Sequence, residues 1–308
     1  MKIVLLDTLT FGDTDLSAFF ELGDVEIFKT TSAEQTQERI TNADIIVTNK
    51  VVITDEHMQN TPTIKLICVA ATGMNNVDLK AAKERGIEVK NVSGYSTDSV
   101  IQHTFSMLFY LIGHSKYYDE CVKSGEYAKS PIFTDVSKPF FEIKNKKWGI
   151  IGLGEIGRGV ARVARAFGAE VSYFSTSAQN SSNEFNRVEL EELLQTSDII
   201  SIHAPLNEKT LNLLGYEQLL ICKDGVVVLN LGRGGIIDED AVAEIIDKKN
   251  ISFGLDVLSK EPMKQNHPLL NVKNQENLYI TPHIAWTSIE ARELLIAGVI
   301  ENIKTFLK

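Results

Sequence analysis

Short apolar runs alternate with amphipathic stretches along the 308 residues of the chain. Runs of four or five aliphatic residues predict strands buried on both faces of a parallel sheet, and the stretches between them predict the covering helices. In the first hundred residues the predicted strands lie at 2–6, 25–28, 44–48, 66–70 and 88–92. A predicted helix at 78–85 stops at Gly86, as a helix commonly does at glycine. This section is therefore predicted to be an α/β unit in its own right.

The remainder of the chain repeats the pattern at greater length. A strongly apolar helix is predicted at about residues 100–112, and a helix apolar over most of its surface is expected to be buried between layers. A second alternating series then runs from 147 to about 279. The last segment opens with the capping-box pattern Thr287-Ser-Ile-Glu290 and continues as a helix to Leu307. The pattern thus predicts two α/β domains.

The charge balance narrows the class of partner. The chain has 31 Lys and Arg against 41 Asp and Glu, a net charge of −10. An acidic chain with no basic block repels nucleic acid and anionic membrane, so we expect neither as a partner. The apolar run at 3–6 is too short for a signal peptide or a membrane span.

Cysteine and histidine spacing bears on compartment and metal content. The three cysteines, Cys68, Cys121 and Cys222, are odd in number, widely spaced and outside any CxxC pattern. This usage argues against a disulfide scaffold or a zinc ribbon and favours a reducing compartment, so we expect the cytoplasm. The histidines lack metal-ligand spacing, and we expect no metal.

The most informative motif is a glycine-rich turn, Gly152-Leu-Gly154-Glu-Ile-Gly157, which carries the pattern G-x-G-x-x-G. An apolar strand precedes it, and an amphipathic helix and a second strand at 170–174 follow, completing a β-turn-α-β unit. In such a unit Gly152 permits the tight turn, Gly154 lets a pyrophosphate approach the backbone, and Gly157 lets the helix pack against the strand. A purely structural glycine turn is the alternative, which this context disfavours.

The end of the second strand bears on the choice of nicotinamide cofactor. An acid there would bind the ribose 2′-hydroxyl and repel a 2′-phosphate. Ser175 occupies this place, and no arginine follows it. A neutral hydroxyl neither rejects NADP nor binds it firmly, so both cofactors stay open, and the lack of a cation favours NAD.

Three residues that suit carbonyl reduction follow three successive strand-like runs: Arg233, Glu261 and His283. Ligands of doubly wound sheets bind beyond the carboxyl ends of the strands, so these side chains can converge beside a nicotinamide. Arginine offers a bidentate fork for a carboxylate, and histidine donates a proton near neutral pH with a neighbouring carboxylate to keep it protonated. The plainer interpretations are a solvated charge, a surface acid and a structural histidine, and the coincidence at strand ends favours catalysis.

Weaker candidates lie in other parts of the chain. His203 ends another strand and is expected to line the cofactor cleft, whereas His103 and His114 are expected to be satisfied interior histidines. The loop Ala71-Thr72-Gly73 exposes backbone N–H groups that suit a carboxylate, with a plain turn as the alternative. Lys50 could reach the same pocket, and a solvent-exposed lysine is the alternative.

Several stretches of the chain, taken together, form a specific pattern. They are the turn at 152–157, Ser201-Ile-His203-Ala-Pro205-Leu with Thr210, Asn230-Leu-Gly-Arg233-Gly-Gly, Leu255-Asp256-Val with Glu261-Pro262, and Thr281-Pro282-His283. On these residues the chain resembles the D-isomer-specific 2-hydroxyacid dehydrogenases over essentially its whole length. The resemblance implies an α/β fold of two Rossmann-like or flavodoxin-like domains with parallel sheets. It also implies that an NAD(P)-binding domain, 99–286, is inserted into a substrate-binding domain, 1–98 plus 287–308.

The resemblance also implies roles for individual residues. Arg233 would hold the substrate carboxylate and carbonyl, His283 would be the general acid/base with Glu261 as its partner, and Ala71, Thr72 and Gly73 would form the carboxylate-binding loop. The residues that would touch the cofactor, besides the three glycines, are Glu155, Ile156, Ser175, His203, Pro205, Thr210, Leu231, Asp256 and Ala285. Members of this family are commonly homodimers paired through their cofactor domains.

Two departures from the family pattern, one distinction between its branches and a finer likeness refine this picture. Ser175 stands where the family usually has an acid, Trp286 follows Ala285 where a Gly-Ser pair is frequent, and Glu261 argues against the formate dehydrogenase branch, which carries Gln. The stretches 70–73, 94–97 and 173–177 are most similar to those of the glycerate dehydrogenase/hydroxypyruvate reductase group.

The implied reaction is reversible hydride transfer between a nicotinamide cofactor and D-glycerate or hydroxypyruvate, with glyoxylate as a further candidate. The alternatives are D-lactate dehydrogenase, 3-phosphoglycerate dehydrogenase, and a non-enzymatic NAD-sensing scaffold similar to a corepressor.

Overall fold

A computed structural model describes residues 1–177 and 181–308 of the chain. It divides into two compact units, Met1–Ser96 with Trp286–Lys308, and Thr97–Ala285. The first boundary lies after residue 96, two residues before the expected one after residue 98, because a helix begins at Thr97. The second boundary lies after residue 285, one residue before the expected one after residue 286. Each unit has an all-parallel sheet, so the predicted α/β fold class is confirmed.

The first unit is built on five strands. They are β1 (Lys2–Leu5), β2 (Asp24–Ile27), β3 (Ile45–Thr48), β4 (Leu66–Val69) and β5 (Glu88–Asn91). Their order across the sheet is β2-β1-β3-β4-β5, and each neighbouring pair is parallel. β3 and β4 are buried along their whole length, as expected of apolar runs covered on both faces, whereas β2 at the edge is mostly exposed. The five predicted strands are confirmed to within a residue at each end.

Three helices connect these strands: α1 (Ala33–Ile40), α2 (Asp55–Gln59) and α3 (Leu79–Glu84). α3 is the helix predicted at 78–85. The side chain of Asp78 accepts a hydrogen bond from the N–H of Ala81 at 3.0 Å and so caps its first turn.

The second unit has a seven-stranded sheet. Its strands are β6 (Lys147–Ile151), β7 (Glu170–Phe174), β8 (Asn186–Arg187), β9 (Ile199–Ile202), β10 (Val226–Asn230), β11 (Ile251–Leu255) and β12 (Leu278–Ile280). Their order is β12-β11-β10-β9-β6-β7-β8, and each neighbouring pair is parallel. The chain order reverses between β6 and β9, which is where dinucleotides bind in such sheets. The carboxyl ends of β10, β11 and β12 are neighbours.

Helices cover both faces of this second sheet. They are α4 (Thr97–Ile112), α6 (Glu155–Ala166), α7 (Leu190–Thr196), α8 (Tyr216–Leu220) and α9 (Glu239–Ile245), while α5 (Ser115–Lys123) follows α4 and has no buried residue. Residues of α4 and α6, such as Phe105 and Val160, pack with Trp148 in one apolar layer. Residues of α7, α8 and α9 pack in the other. α4 begins at Thr97, three residues earlier than predicted. It was expected to be buried between layers, but it is buried along one face only, since Phe105, Met107 and Leu108 are buried and Phe109 is exposed.

The last helix, α10 (Ile289–Leu307), belongs to the first unit and packs against its sheet. The predicted cap at Thr287 is wrong by one residue. Ser288 caps the helix, because its hydroxyl accepts from the N–H of Ala291 at 3.1 Å, while the Thr287 carbonyl accepts from Arg292. Among residues 1–177 and 181–308, no helix is both long enough and apolar enough to cross a bilayer.

Candidate active site

The predicted glycine turn joins β6 to α6. Gly152 has a φ of +94°, and a Cβ atom there would lie 2.8 Å from the backbone of Ala204. A Cβ at Gly157 would lie 2.2 Å from the carbonyl oxygen of Gly152, so neither position has room for a side chain. A Cβ at Gly154, the N-cap of α6, would meet no atom within 4 Å. The turn therefore borders open space at the positive end of a helix, which fits a pyrophosphate.

The carboxyl end of β7 lies beside this turn, since the N–H of Gly152 donates to the carbonyl of Phe174 at 3.0 Å. Ser175, the next residue, is 6% exposed. Arg158 of α6 donates to the carbonyl of Ser181 at 2.7 Å. The structure thus brings one arginine to the chain beyond β7, where the sequence indicated no cation. Glu155 is exposed and Ile156 half-buried at the start of α6.

His203 follows β9, which lies on the opposite side of β6 from β7. The backbone N–H of His203 donates to the carbonyl of Ile151 at 2.8 Å. Its Nε2 lies 3.1 Å from the Ser201 hydroxyl, which also accepts from Trp148 Nε1 at 2.9 Å. Its Nδ1 is buried and has no hydrogen-bond partner among the described residues. Burial lowers the pKa of His203 to about 3, so the ring is neutral at working pH. A buried ring nitrogen without a partner is a group that a bound molecule can satisfy.

The remaining residues that the resemblance places at the cofactor are mostly buried. Thr210 is fully buried, and its hydroxyl donates to the carbonyl of Pro205 at 2.7 Å and accepts from the N–H of Asn207 at 2.8 Å. Thr210 therefore shapes the loop that carries the exposed Pro205. Leu231 and Ala285 belong to the apolar layer beneath α4. Their contact with a cofactor stays a prediction.

Arg233 lies in the turn after β10, and its backbone is fixed by the buried Asn230. The Asn230 side chain donates to the Arg233 carbonyl at 2.9 Å and accepts from the N–H of Gly232 at 3.1 Å. A Cβ at Gly234 would lie 2.0 Å from the backbone of Leu258, so this turn touches the loop after β11. The arginine side chain is exposed, with Nη1 donating to the Gly232 carbonyl at 2.8 Å. The other N–H groups of the guanidinium thus extend from a turn whose backbone is held by Asn230.

His283 and Glu261 form a hydrogen-bonded pair. His283 Nδ1 lies 2.7 Å from Glu261 Oε2, and the side chains are 23% and 32% exposed. The other carboxylate oxygen, Oε1, accepts from the N–H of Leu258 at 2.9 Å. An ionised carboxylate only accepts hydrogen bonds, so Nδ1 carries a hydrogen, and Nε2 is the ring nitrogen that can exchange a proton with a ligand.

Asp256, at the end of β11, is 1% exposed and holds the loop that carries His283. Its Oδ1 accepts from the Thr281 hydroxyl at 2.6 Å and from the N–H of Ile284 at 2.8 Å. Its Oδ2 accepts from the N–H of Ala285 at 3.1 Å, and its carbonyl accepts from the N–H of His283 at 2.8 Å. His283 has a φ of +56°, a conformation that non-glycine residues rarely adopt. The buried carboxylate therefore fixes a strained backbone at the histidine.

The first unit carries the other predicted loops. After β4, Ala71 and Gly73 are half-buried and Thr72 is exposed, with the Thr72 carbonyl accepting from Asn91 at 2.6 Å. After β3, the side chain of Lys50 is exposed.

Asp7, which follows β1, holds the loop of Lys50. The carboxylate accepts hydrogen bonds from the backbone N–H groups of Asn49 at 2.8 Å, Lys50 at 2.6 Å and Val51 at 3.3 Å. Asp7 is 7% exposed, and burial raises its pKa even though these bonds act in the opposite direction. The position of the Lys50 backbone therefore depends on a buried acid.

Residues 105–285 match the family model "D-isomer specific 2-hydroxyacid dehydrogenase, NAD binding domain". This match covers more than half of the chain, and it falls on the unit that holds the glycine turn and the His283–Glu261 pair. The chain belongs to the D-isomer-specific 2-hydroxyacid dehydrogenases. The predicted family is confirmed.

Full-length relatives agree with this assignment. The dehydrogenase is 37% identical to a hydroxypyruvate reductase of Blautia hydrogenotrophica, with 100% of this chain and 97% of that protein covered. It is 34% identical to a glycerate dehydrogenase of Methylorubrum extorquens, with 99% and 96% covered. Among solved structures, an acyclic imino acid reductase (Bsp5) in complex with NADPH and D-Arg is similar at a TM-score of 0.88 and 30% identity, with 100% and 97% covered. The cofactor of this dehydrogenase is a nicotinamide dinucleotide.

Sequence reasoning missed residues that position the site of this dehydrogenase. Asn230 stands in a recognised motif, and an asparagine between a strand and a glycine is a signal for a side chain that bonds its own turn. Asp7 follows an apolar strand in the same way as Asp256, but nothing in the sequence says which loop it meets. Among the described residues, no three His, Cys, Asp or Glu side chains gather into a group that could hold a metal.

Proposed function

We propose that this dehydrogenase transfers a hydride reversibly between a nicotinamide C4 and the C2 of a small 2-keto or D-2-hydroxy acid. Hydroxypyruvate and D-glycerate are the substrate pair, and glyoxylate is a further acceptor. The observation that carries the proposal is the 2.7 Å contact between His283 Nδ1 and Glu261 Oε2 at adjacent strand ends of the NAD-binding unit. Similarity to a hydroxypyruvate reductase and a glycerate dehydrogenase over nearly their full lengths supports this substrate pair.

The three polar side chains divide the work of carbonyl reduction. Arg233 steadies the substrate carboxylate and the carbonyl oxygen with its planar guanidinium. His283 donates the proton on Nε2 to the carbonyl oxygen, and in the reverse direction it takes that proton back. Glu261 accepts from Nδ1–H and so stabilises the protonated ring at the right orientation. When bound, the nicotinamide supplies the hydride in reduction and accepts it in oxidation.

The residues that would hold the cofactor belong to the glycine turn, to the start of α6, and to the carboxyl ends of β7 and of β9 to β12. Gly152, Gly154 and Gly157 leave the space for the pyrophosphate. The backbone of His203 contacts Ile151, next to that turn, and its buried Nδ1 has no hydrogen-bond partner among the described residues. The other cofactor residues of the proposal are Glu155, Ile156, Ser175, Pro205, Thr210, Leu231, Asp256 and Ala285. NAD is the proposed cofactor, and Ser175 leaves NADP usable because a hydroxyl does not repel the 2′-phosphate. The NADPH-bound relative of similar fold agrees with that tolerance.

In the first unit, we assign carboxylate binding to the loop at Ala71, Thr72 and Gly73, with Lys50 as a further substrate residue. The half-buried small residues leave backbone N–H groups near the surface, which suits an anion. Lys50 adds a positive charge on a loop whose backbone is held by Asp7.

We also assign the protein to the cytoplasm as a homodimer. The three cysteines are all free, as in a reducing compartment.

The second unit exposes a set of apolar side chains, with Phe133 at 89%, Val136 at 76% and Phe140 at 67% exposed. Exposed apolar side chains mark an interface between subunits where they form one patch, and we assign these three to such a patch. Light scattering should give twice the chain mass, and Phe133→Asp with Phe140→Asp should give the mass of one chain; a wild-type monomer would contradict the assignment.

The test of the reaction is a parallel assay of NADH and NADPH oxidation with hydroxypyruvate, glyoxylate, pyruvate and 2-oxobutyrate. We expect hydroxypyruvate to be reduced fastest, and the ratio of the two cofactors to show what Ser175 permits. His283→Ala should reduce kcat by roughly 100-fold or more, the range for losing a general acid, with the NADH dissociation constant little changed.

Three outcomes would contradict the proposal. Preference for pyruvate would identify a D-lactate dehydrogenase. Oxidation of 3-phosphoglycerate with no activity on D-glycerate would identify a 3-phosphoglycerate dehydrogenase. NADH binding without turnover of any acid would favour the non-enzymatic, NAD-sensing scaffold.

A further inference from the structure

Helix α4 packs over the strands that lead to the His283–Glu261 pair. Tyr110 of α4 stacks on Tyr279 of β12, with ring centroids 3.9 Å apart. His103 lies seven residues, about two turns, earlier in the helix and faces the end of the same strand. Its side chain is 15% exposed, and its Nε2 lies 3.1 Å from the Thr281 hydroxyl and 3.6 Å from Asp256 Oδ1.

The directions of the hydrogen bonds are fixed by the chemistry of the groups. Asp256 is a carboxylate and only accepts hydrogen bonds. The Thr281 hydroxyl therefore donates its single hydrogen to Asp256 Oδ1, at 2.6 Å. Toward His103 the same hydroxyl can only accept, and Nε2 of His103 must carry the hydrogen. The three groups therefore form a chain of donors that runs from His103 through Thr281 to Asp256.

A second contact ties α4 to the same loop. The Ser99 hydroxyl donates to the carbonyl of Ala285 at 2.6 Å. The N–H of Ala285 in turn donates to Asp256. The peptide groups around His283 are thus held from the sheet side by Asp256 and from the helix side by Ser99 and His103.

We propose that His103 is a positioning residue for the acid/base His283, acting through Thr281 and Asp256. By orienting the Thr281 hydroxyl, His103 keeps both oxygens of Asp256 aimed at the amides of Ile284 and Ala285, and these amides hold His283 in its left-handed backbone conformation. The proposal rests on the proposed function, because it assumes that His283 is the proton donor.

The state of His103 agrees with this role. Burial lowers the pKa of His103, and the neighbouring Asp256 only partly offsets that effect. The ring is therefore neutral at pH 7, with one hydrogen to donate. It orients the network without carrying the proton of the reaction.

The experiment compares three variants of the full chain. His103→Leu removes the donor, and His103→Gln can place an amide N–H near the position of Nε2. The matched control is Thr104→Val, which removes a buried hydroxyl from the same helix whose bond is to the Val100 carbonyl of α4 itself. Each variant is measured for kcat and KM with hydroxypyruvate, for NADH affinity by fluorescence, and for hydrogen–deuterium exchange of the peptide that contains residues 284 and 285.

We expect His103→Leu to lose roughly 10- to 100-fold in kcat, the scale of a catalytic group displaced by about 1 Å. KM and NADH affinity should change little, the amides of residues 284 and 285 should exchange faster, and His103→Gln should restore most of both losses. Thr104→Val should leave all four quantities near the wild type.

The proposal is overturned if His103→Leu keeps its kcat and its amide protection, or if Thr104→Val causes the same losses. The latter result would mean that any damage to α4 has this effect. If the wild type reduces no keto acid, the proposed function fails. The amide exchange of the His103 variants then still decides whether His103 holds the loop.

Discussion

Two buried aspartates, one in each unit, hold two strand-end loops in the same way. Asp7 follows β1 and accepts from the N–H groups of Asn49, Lys50 and Val51. Asp256 follows β11 and accepts from two N–H groups and the Thr281 hydroxyl. In both, a carboxylate with almost no exposure replaces the water that the loop's backbone would otherwise bind.

The difference lies in what each loop carries. The loop of Asp7 carries Lys50, a charge on a flexible side chain that tolerates small shifts of its backbone. The loop of Asp256 carries His283, whose ring must meet Glu261 at hydrogen-bond distance while its backbone adopts a φ of +56°. Asp256 also has support from α4 through His103 and Ser99. The same arrangement is therefore reinforced in the loop that carries the proposed proton donor, because proton transfer is more sensitive to position than charge attraction is.

Asp256→Asn should give the largest effect. The new amide group would point an N–H at one of the three donors, and the loop would move to avoid that contact. We expect kcat with hydroxypyruvate to fall by roughly 100-fold, the cost of a misplaced catalytic group. Steady-state kinetics measures this loss, and circular dichroism checks that the variant is folded.

The matched change in the first unit is Asp7→Asn. If Asp7→Asn lowers kcat as much as Asp256→Asn does, the contrast between the two loops is wrong. If Asp256→Asn keeps the wild-type kcat, the buried carboxylate does not control His283.

The sequence predicted the parts of this arrangement that are local. Apolar runs defined the strands, the glycine spacing defined the phosphate turn, and the positions of Arg233, Glu261 and His283 after successive strands placed them at one edge of the second sheet. β10, β11 and β12 are neighbours there, and the Glu261–His283 contact follows from that order.

The supporting contacts could not be predicted, because they join distant segments. His103 and Thr281 are 178 positions apart, and Asp7 and Asn49 are 42 apart. The second contact requires β1 to lie beside β3, and nothing in either strand alone specifies that order. His103 was expected to be a satisfied interior histidine, and it is satisfied, but by the network that holds His283. Periodicity shows that a residue is buried and not which loop it meets.

The two units can also be compared through their buried titratable groups, and here we expect an effect of intermediate size, on the pH dependence of stability. Burial favours the neutral form of Asp7 in the first unit and of His203 in the second. The ordinary pKa of histidine is 6.5, and in the fold that of His203 is about 3. The unfolded chain therefore binds a proton that the folded chain does not, and the stability due to His203 is present above pH 6.5 and lost as the pH falls toward 3.

Between pH 7.5 and 5.5 we expect the wild type to lose up to about 1.4 kcal/mol of unfolding free energy through His203. His203→Asn should lack this loss, so the difference between the two proteins should change with pH by that amount. Urea unfolding at the two pH values measures it. Parallel pH dependence in wild type and variant would show that His203 has the same pKa in the folded and the unfolded chain.

The smallest expected effect is that of Asp7→Asn on substrate affinity. Asn cannot accept from all three N–H groups, and the loop of Lys50 should lose the equivalent of one hydrogen bond, about 1 kcal/mol, which corresponds to about fivefold in KM. kcat should stay within about twofold, because the role proposed for Lys50 is to attract a charge and involves no proton transfer. Asp24→Asn, a change at an exposed acid in the same unit, is the control and should alter neither constant. A fall in kcat at constant KM would show instead that the first unit positions the reacting groups, and the two aspartates would then serve the same step.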